Sequence, residues 1–198
     1  MFEVIRADRA AGDARMQMAG IFADGFSQWL VFFSKDRNAI AKAFAHMFVL
    51  DQFYVAVKDG KVAAMAACTD GSATSVKLDK KALRKHLGWV KGSLAGLFLK
   101  KEFEVPLDNP NGDKCSIEFV GTALEYRGQG AASLVIRHIV DSTSFKEYLI
   151  EEVADTNVPA VRLYEKLGFA EYRRKAIPKK LAEKNGINHL VSMKYVKG

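Results

Sequence analysis

With 198 residues, 49% of them hydrophobic, the chain has the length of one domain, 1–198, and ample apolar content for a packed core. Its net charge of +7 favours an anionic ligand, yet Lys and Arg are spread along the chain, which puts a small anionic cofactor ahead of nucleic acid. Two cysteines without a Cys-x-x-Cys pair, and four scattered histidines, exclude a disulfide framework and a metal site of recognisable ligand spacing.

The N-terminus MFEVIRADRA lacks the basic-then-apolar pattern of a signal peptide, and Phe2–Ala7 reads as a first strand. Asp13 then opens a helix whose apolar set is Met16, Ile21, Phe22, Phe26 and Trp29, with Gly20 and Gly25 as weak points. A second helix is expected from about Asn38 to Leu50, capped by Ser34 or Asp36. Next, Lys58-Asp59-Gly60-Lys61 joins two β-type runs. Asp-Gly tolerates the positive φ of a hairpin turn, so 52–57 and 61–69 are predicted as antiparallel neighbours. Cys68 and Cys115 fall in strand-like runs and are expected to be reduced thiols of a cytoplasmic protein.

Residues 77–104 form an insert with a basic amphipathic helix over 79–100, broken at Gly88 and Gly92. Such a helix can lie on a membrane, but leucines at this spacing are expected on the home core with the lysines in water. The insert is otherwise expected to serve as a lid or a homodimer contact. No run approaches the length of a transmembrane helix, and no membrane partner is expected. Residues 106–113 read as a loop. The strand CSIEFVGT leads into Arg127-Gly128-Gln129-Gly130-Ala131-Ala132, which opens a helix to about Asp141. KEYLIEEVA reads as a buried strand, and Asn157–Leu167 as a short helix ended by Gly168. Phe169–Ala176 and His189–Val196 are the last strands, joined by a polar loop.

A strand, a glycine-rich turn and a helix start place free N–H groups at the positive end of a helix dipole, a site for phosphate oxygens. Alone, this turn fits two ligands. Gly128-Gln129-Gly130-Ala131-Ala132-Ser133 approaches the dinucleotide pattern GxGxxG, and Glu151 or Glu152 stands where a ribose would be gripped. Against an NAD(P)-dependent Rossmann oxidoreductase stand the upstream hairpin and the late position of the turn.

Arg127–Ala132 also fits the pattern Gln/Arg-x-x-Gly-x-Gly/Ala. Asn157, Ala160, Leu163, Tyr164, Gly168 and Phe169 fit a second pattern, Asn-x-x-Ala-x-x-Leu-Tyr-x-x-x-Gly-Phe. Together, over 115–170, these resemble the GNAT superfamily of N-acetyltransferases. The resemblance implies an α/β fold of the α+β type, with a mixed, mostly antiparallel sheet of about seven strands flanked by helices. It implies acetyl-CoA as acyl donor, with no metal, and a small amine or a peptide amine as acceptor. The backbone of Arg127, Gly128, Gln129, Gly130, Ala131 and Ala132 would cradle the pyrophosphate. Val120, Gly121 and Thr122 would offer backbone partners to the pantetheine arm and one N–H to the thioester carbonyl. Asn157 would contact the same arm, although capping its own helix is an equally good use. Tyr164 takes the position of the general acid. Glu118 is the candidate base, because on a period-two strand it shares a face with Val120 and Thr122; an exposed carboxylate is its plainer reading. His189 is second to it. Phe22, Phe26, Trp29, Phe32 and Phe33 either line an acceptor pocket or pack the core. A non-catalytic acyl-CoA-binding or nucleic-acid-binding module is the remaining alternative.

Overall fold

The computed structural model describes residues 1–104, 107, 112–178, 182 and 186–198, and within these all side chains but those of residues 28 and 29. The loop expected over 106–113 and the polar segment before His189 lie largely outside these residues, and so does the ring of Trp29.

The hairpin predicted at Asp59-Gly60 is present. β2 (Phe53–Lys58) and β3 (Lys61–Thr69) meet through a turn with φ of 51° and 73° at these two residues. β1 (Glu3–Arg6) pairs with β2 on the outer side, and β4 (Lys114–Thr122) pairs with β3 on the inner side, all antiparallel. β4 then pairs in parallel with β5 (Glu147–Ala154), and β6 (Ala170–Ala176) and β7 (His189–Val196) complete the sheet in the order β1-β2-β3-β4-β5-β7-β6. The expected mixed, mostly antiparallel sheet of seven strands is thus observed. Only β4 and β5 run parallel among these strands, which removes the doubly wound Rossmann architecture.

Helices cover both faces. One carries α1 (Ala14–Gly25), α2 (Ser27–Leu30), α3 (Arg37–Phe44), α4 (Lys80–Leu87) and α5 (Trp89–Phe103), and its core gathers Phe22, Phe44, Phe48 and Phe53. The other carries α6 (Ala131–Ser142) and α7 (Val158–Lys166), whose core joins Ile136 of α6 to Ile117, Tyr148 and Ile150 of the sheet. β3 serves both cores, and its row of alanines, Ala63, Ala64, Ala66 and Ala67, is buried on both sides.

Asp13 caps α1 by accepting from Met16 N–H (3.0 Å), and Gly25 marks where α1 ends and α2 begins. Asp36, rather than Ser34, caps α3, accepting from Asn38 N–H at 2.8 Å. α3 ends at Phe44, short of the expected Leu50. Arg15 reaches across and donates to the carbonyls of Ala45, His46 and Phe48, so these groups leave the helical ladder and turn toward the guanidinium. The insert is also a helical hairpin rather than one helix broken twice. Gly88, at φ 81°, separates α4 from α5, but Gly92 lies inside α5. A Cβ on Gly92 would stand 2.5 Å from Arg84 Cα, and one on Gly96 would stand 2.6 Å from Lys80 Cγ. These two glycines, one turn apart, let the backbones of α4 and α5 touch.

Candidate active site

The central feature is an opening in the sheet. β4 and β5 pair only from Lys114 with Glu147 to Ser116 with Leu149, although β4 continues to Thr122 and β5 to Ala154. Each strand carries a bulge just past the last pair. On β4, Glu118 to Gly121 spans what Ala67 to Met65 spans on β3, and Phe119 has φ 51°. On β5, Ile150 to Val153 spans Met193 to Val191, and Glu152 has φ 55°. A bulge bends its strand, so the two strands part at the same level. Ala123 donates its N–H to Ala63 on β3 (2.9 Å). Peptide groups alternate along a strand, so the N–H and C=O of Thr122, and by the same count those of Val120, point into the opening.

The bulge also corrects the expected side-chain pattern. Glu118 lies opposite Ala67, which belongs to the α1–α5 core, while Thr122 lies opposite Ala64, which belongs to the α6–α7 core. Val120 packs on the α6–α7 core too. Glu118 therefore does not share a face with Val120 and Thr122, because one inserted residue reverses the alternation. It shares the α1 side with Phe119 and Gly121 instead. Gly121 is needed there, since a Cβ would stand 2.6 Å from Ile21 Cγ2.

The glycine turn follows β4 through one 3-10 turn, Leu124–Tyr126, and α6 begins at Ala131. Gly128 and Gly130 have φ of 74° and 82°, and a Cβ on either would meet nothing within 4 Å. They are glycine for backbone conformation and not for lack of room. The N–H groups of the turn divide into two kinds. Arg127 N–H goes to Leu124 O and Gln129 N–H to Tyr126 O, and the Gln129 side chain donates to Glu125 O at 2.7 Å. Gly128, Gly130, Ala131 and Ala132 have no such backbone partner among the described residues, and the first helical turn leaves their N–H groups at the helix end. The donor set is narrower than the continuous run expected from Arg127 to Ala132. Ala131 and Ala132 are buried in the α6–α7 core.

Tyr164 is a buried member of the same core, 6.3 Å from the Phe169 ring, and burial pushes its phenol well above the usual range. No described residue hydrogen-bonds its hydroxyl. Asn157 caps α7, its side chain accepting from Ala160 N–H at 3.4 Å, so its structural use is realised. Glu118 is half-buried rather than exposed. Ser75 Oγ donates to its carboxylate, and burial raises the carboxyl above the usual glutamate range, with Ser75 and Ser116 partly opposing. Ser75 carries no local sequence signal; it arrives from a loop forty-three positions away. His189 is held by Asp155, whose carboxylate accepts its N–H at 3.1 Å and lies 3.3 Å from Nδ1.

The aromatic set divides. Phe22 and Phe33 are core, and Phe32 is exposed. Phe26 is half-buried, stacked on Phe22 at 4.8 Å, and faces Phe119 at 6.0 Å and Phe103 at 6.3 Å. Phe103 and Phe119 join this wall without having been expected there. Beside the glycine turn, Leu124 and Arg127 line an open pocket of about 250 Å³ together with Asp24, Ser27, Leu30 and Lys35. Among the described residues no group of three His, Cys, Asp or Glu could hold a metal.

The sequence profile described as the acetyltransferase (GNAT) family matches residues 23–169. The chain belongs to this family, whose members are acyl-CoA-dependent N-acetyltransferases. Among solved structures it is similar to an N-acetyltransferase from Staphylococcus aureus, at 18% identity and TM-score 0.63, over 98% of this chain and 100% of that one. It is also similar to a ribosomal-protein-alanine N-acetyltransferase from Brucella melitensis, at 14% identity and TM-score 0.56, over 98% and 99% of the two chains. Both likenesses are of fold. No curated protein matches the chain.

Proposed function

We propose that this enzyme transfers an acetyl group from acetyl-CoA to a primary amine of a small molecule or a peptide, by direct attack of the amine. The observation that carries the reading is the opening between β4 and β5, set beside a turn with unspent N–H groups. The residues fit the donor. Gly128, Gly130, Ala131 and Ala132 offer N–H groups at a helix N-terminus to a pyrophosphate. The edges of β4 and β5, no longer paired with each other, accept an extended pantetheine arm as an added strand.

Acetyl-CoA supplies the acetyl group as a thioester. The N–H of Val120 or Thr122 stabilises negative charge on the carbonyl oxygen as the amine nitrogen adds to carbon. Glu118 takes the excess proton from that nitrogen. Its raised carboxyl lies nearer to the working pH than an ordinary glutamate, which suits a base. Tyr164 gives its proton to sulfur as the carbon–sulfur bond breaks, and burial keeps the phenol protonated until then. The wall of Phe26, Phe103 and Phe119 stands on the same face as Glu118 and suits an acceptor with an apolar body.

Two measurements test this. Calorimetric titration with acetyl-CoA is expected to give binding, and no heat at high micromolar concentration would refute the donor. A panel of amines read by free-thiol release is expected to find acceptors; binding without release against every amine would leave an acyl-CoA-binding module.

A further inference from the structure

We propose that the outer face of α5 docks the protein on the surface of an anionic lipid bilayer. The helix is apolar on two sides. Gly92, Ala95, Gly96, Leu99 and Phe103 face inward. Val90 and Leu97, seven residues apart, and Phe98 beside them face the opposite way. They are 64%, 52% and 58% exposed, and Trp89 at the start of the helix is 72% exposed. The expectation that the leucines of this insert pack on the home core is thus met by Leu83, Leu87, Leu94 and Leu99, but not by Leu97. Apolar groups in such a row are costly in water and signal a surface that is covered in use.

Charge selects what covers it. The insert, residues 77–104, holds eight Lys and Arg against three Asp and Glu. Arg84 lies over the Trp89 ring at 5.3 Å, and Lys91, Lys100 and Lys101 flank the apolar row as exposed side chains. A second copy packed against the same face would set lysine against lysine. An anionic bilayer supplies what the face lacks: hydrocarbon for Val90, Leu97 and Phe98, headgroup phosphates for the lysines, and an interfacial level for the tryptophan. None of the described helices is long and apolar enough to cross a membrane, so the contact is superficial.

The test is co-sedimentation of the full chain with phosphatidylcholine vesicles and with equimolar phosphatidylcholine–phosphatidylglycerol vesicles. Binding is expected to the anionic vesicles only, and to fall as salt rises. Leu97→Ser with Phe98→Ser is expected to weaken it roughly a hundredfold, from the transfer of two large side chains. Lys100→Glu with Lys101→Glu is expected to weaken it roughly tenfold or more. All four positions are exposed, and an unchanged melting temperature shows that the variants fold. Failure to sediment with anionic vesicles at low salt overturns the proposal. So does equal binding by the Leu97/Phe98 variant, which would leave bare electrostatics. A dimer in solution that this variant splits would assign the face to a second copy, and capture of a specific acidic protein without vesicle binding would assign it to that partner.

Discussion

At the scale of single residues, the proposed chemistry uses two ionisable groups shifted by burial, Glu118 and Tyr164. Tyr164→Phe removes the proposed proton donor and leaves the ring in place. It is expected to lower kcat about a hundredfold, within the usual range for a general acid, while KM for acetyl-CoA changes little. Steady-state kinetics decide this, and an unchanged kcat would remove Tyr164 from the chemistry. Glu118→Gln is expected to abolish the acidic limb of the pH–rate profile. It is also expected to change stability with a definite sign. Burial raises the Glu118 carboxyl in the folded state. The unfolded chain therefore ionises first, and the stability due to the neutral form is complete at acid pH and lost as pH rises through the folded value. Gln keeps the neutral shape and can still accept from Ser75. The variant should melt with wild type below the ordinary glutamate range and above it at neutral pH. Parallel melting curves at all pH values would show that the carboxyl is not strained.

At the scale of elements, small residues set the distances between backbones. Gly92→Ala puts a methyl group 2.5 Å from Arg84 Cα, and the obstacle is backbone. The loss is expected to be about 1–3 kcal/mol, as for overpacking, which outweighs the better helix propensity of alanine. Gly25→Ala is the control, since a Cβ there meets nothing within 4 Å, and it should be neutral or slightly stabilising. Denaturant melts of both variants compare them directly; equal stability would mean that α4 and α5 move apart without cost. From local propensity alone, Gly92 reads as a helix break, because propensity is all that a lone glycine displays. The reason for it is a neighbour eight positions back, which only the folded hairpin brings close.

At the scale of the whole molecule, both cores are built on one sheet. β3 is buried on both sides, and β4 carries Ile117 to one core and Phe119 to the other. Neither core can melt without exposing the strands that support the second. Calorimetry is expected to show a single cooperative transition over the 198-residue chain. Two separated transitions would divide it into independent units.

Much of this protein was determined by local sequence. Asp59-Gly60 selects the hairpin through positive φ, the Gly128–Gly130 turn selects the strand-to-helix corner, and Asn157 and Gly168 bound the last helix; each effect acts within a few residues. The two motifs, Arg127–Ala132 and Asn157–Phe169, were enough to point to the family. Tertiary structure decided the rest. The bulges at Phe119 and Glu152 have no local signal, since neither residue favours positive φ, and they form only where β4 and β5 must part. That single inserted residue moved Glu118 to the opposite face from Val120 and Thr122. Ser75 and Phe103 reached the site by long-range packing, and Arg15 ended α3 from another helix. Which N–H groups of the glycine turn stay unspent was likewise set by how the turn folds, because a pattern of residue types records conformational freedom but not which hydrogen bonds that freedom is used to make.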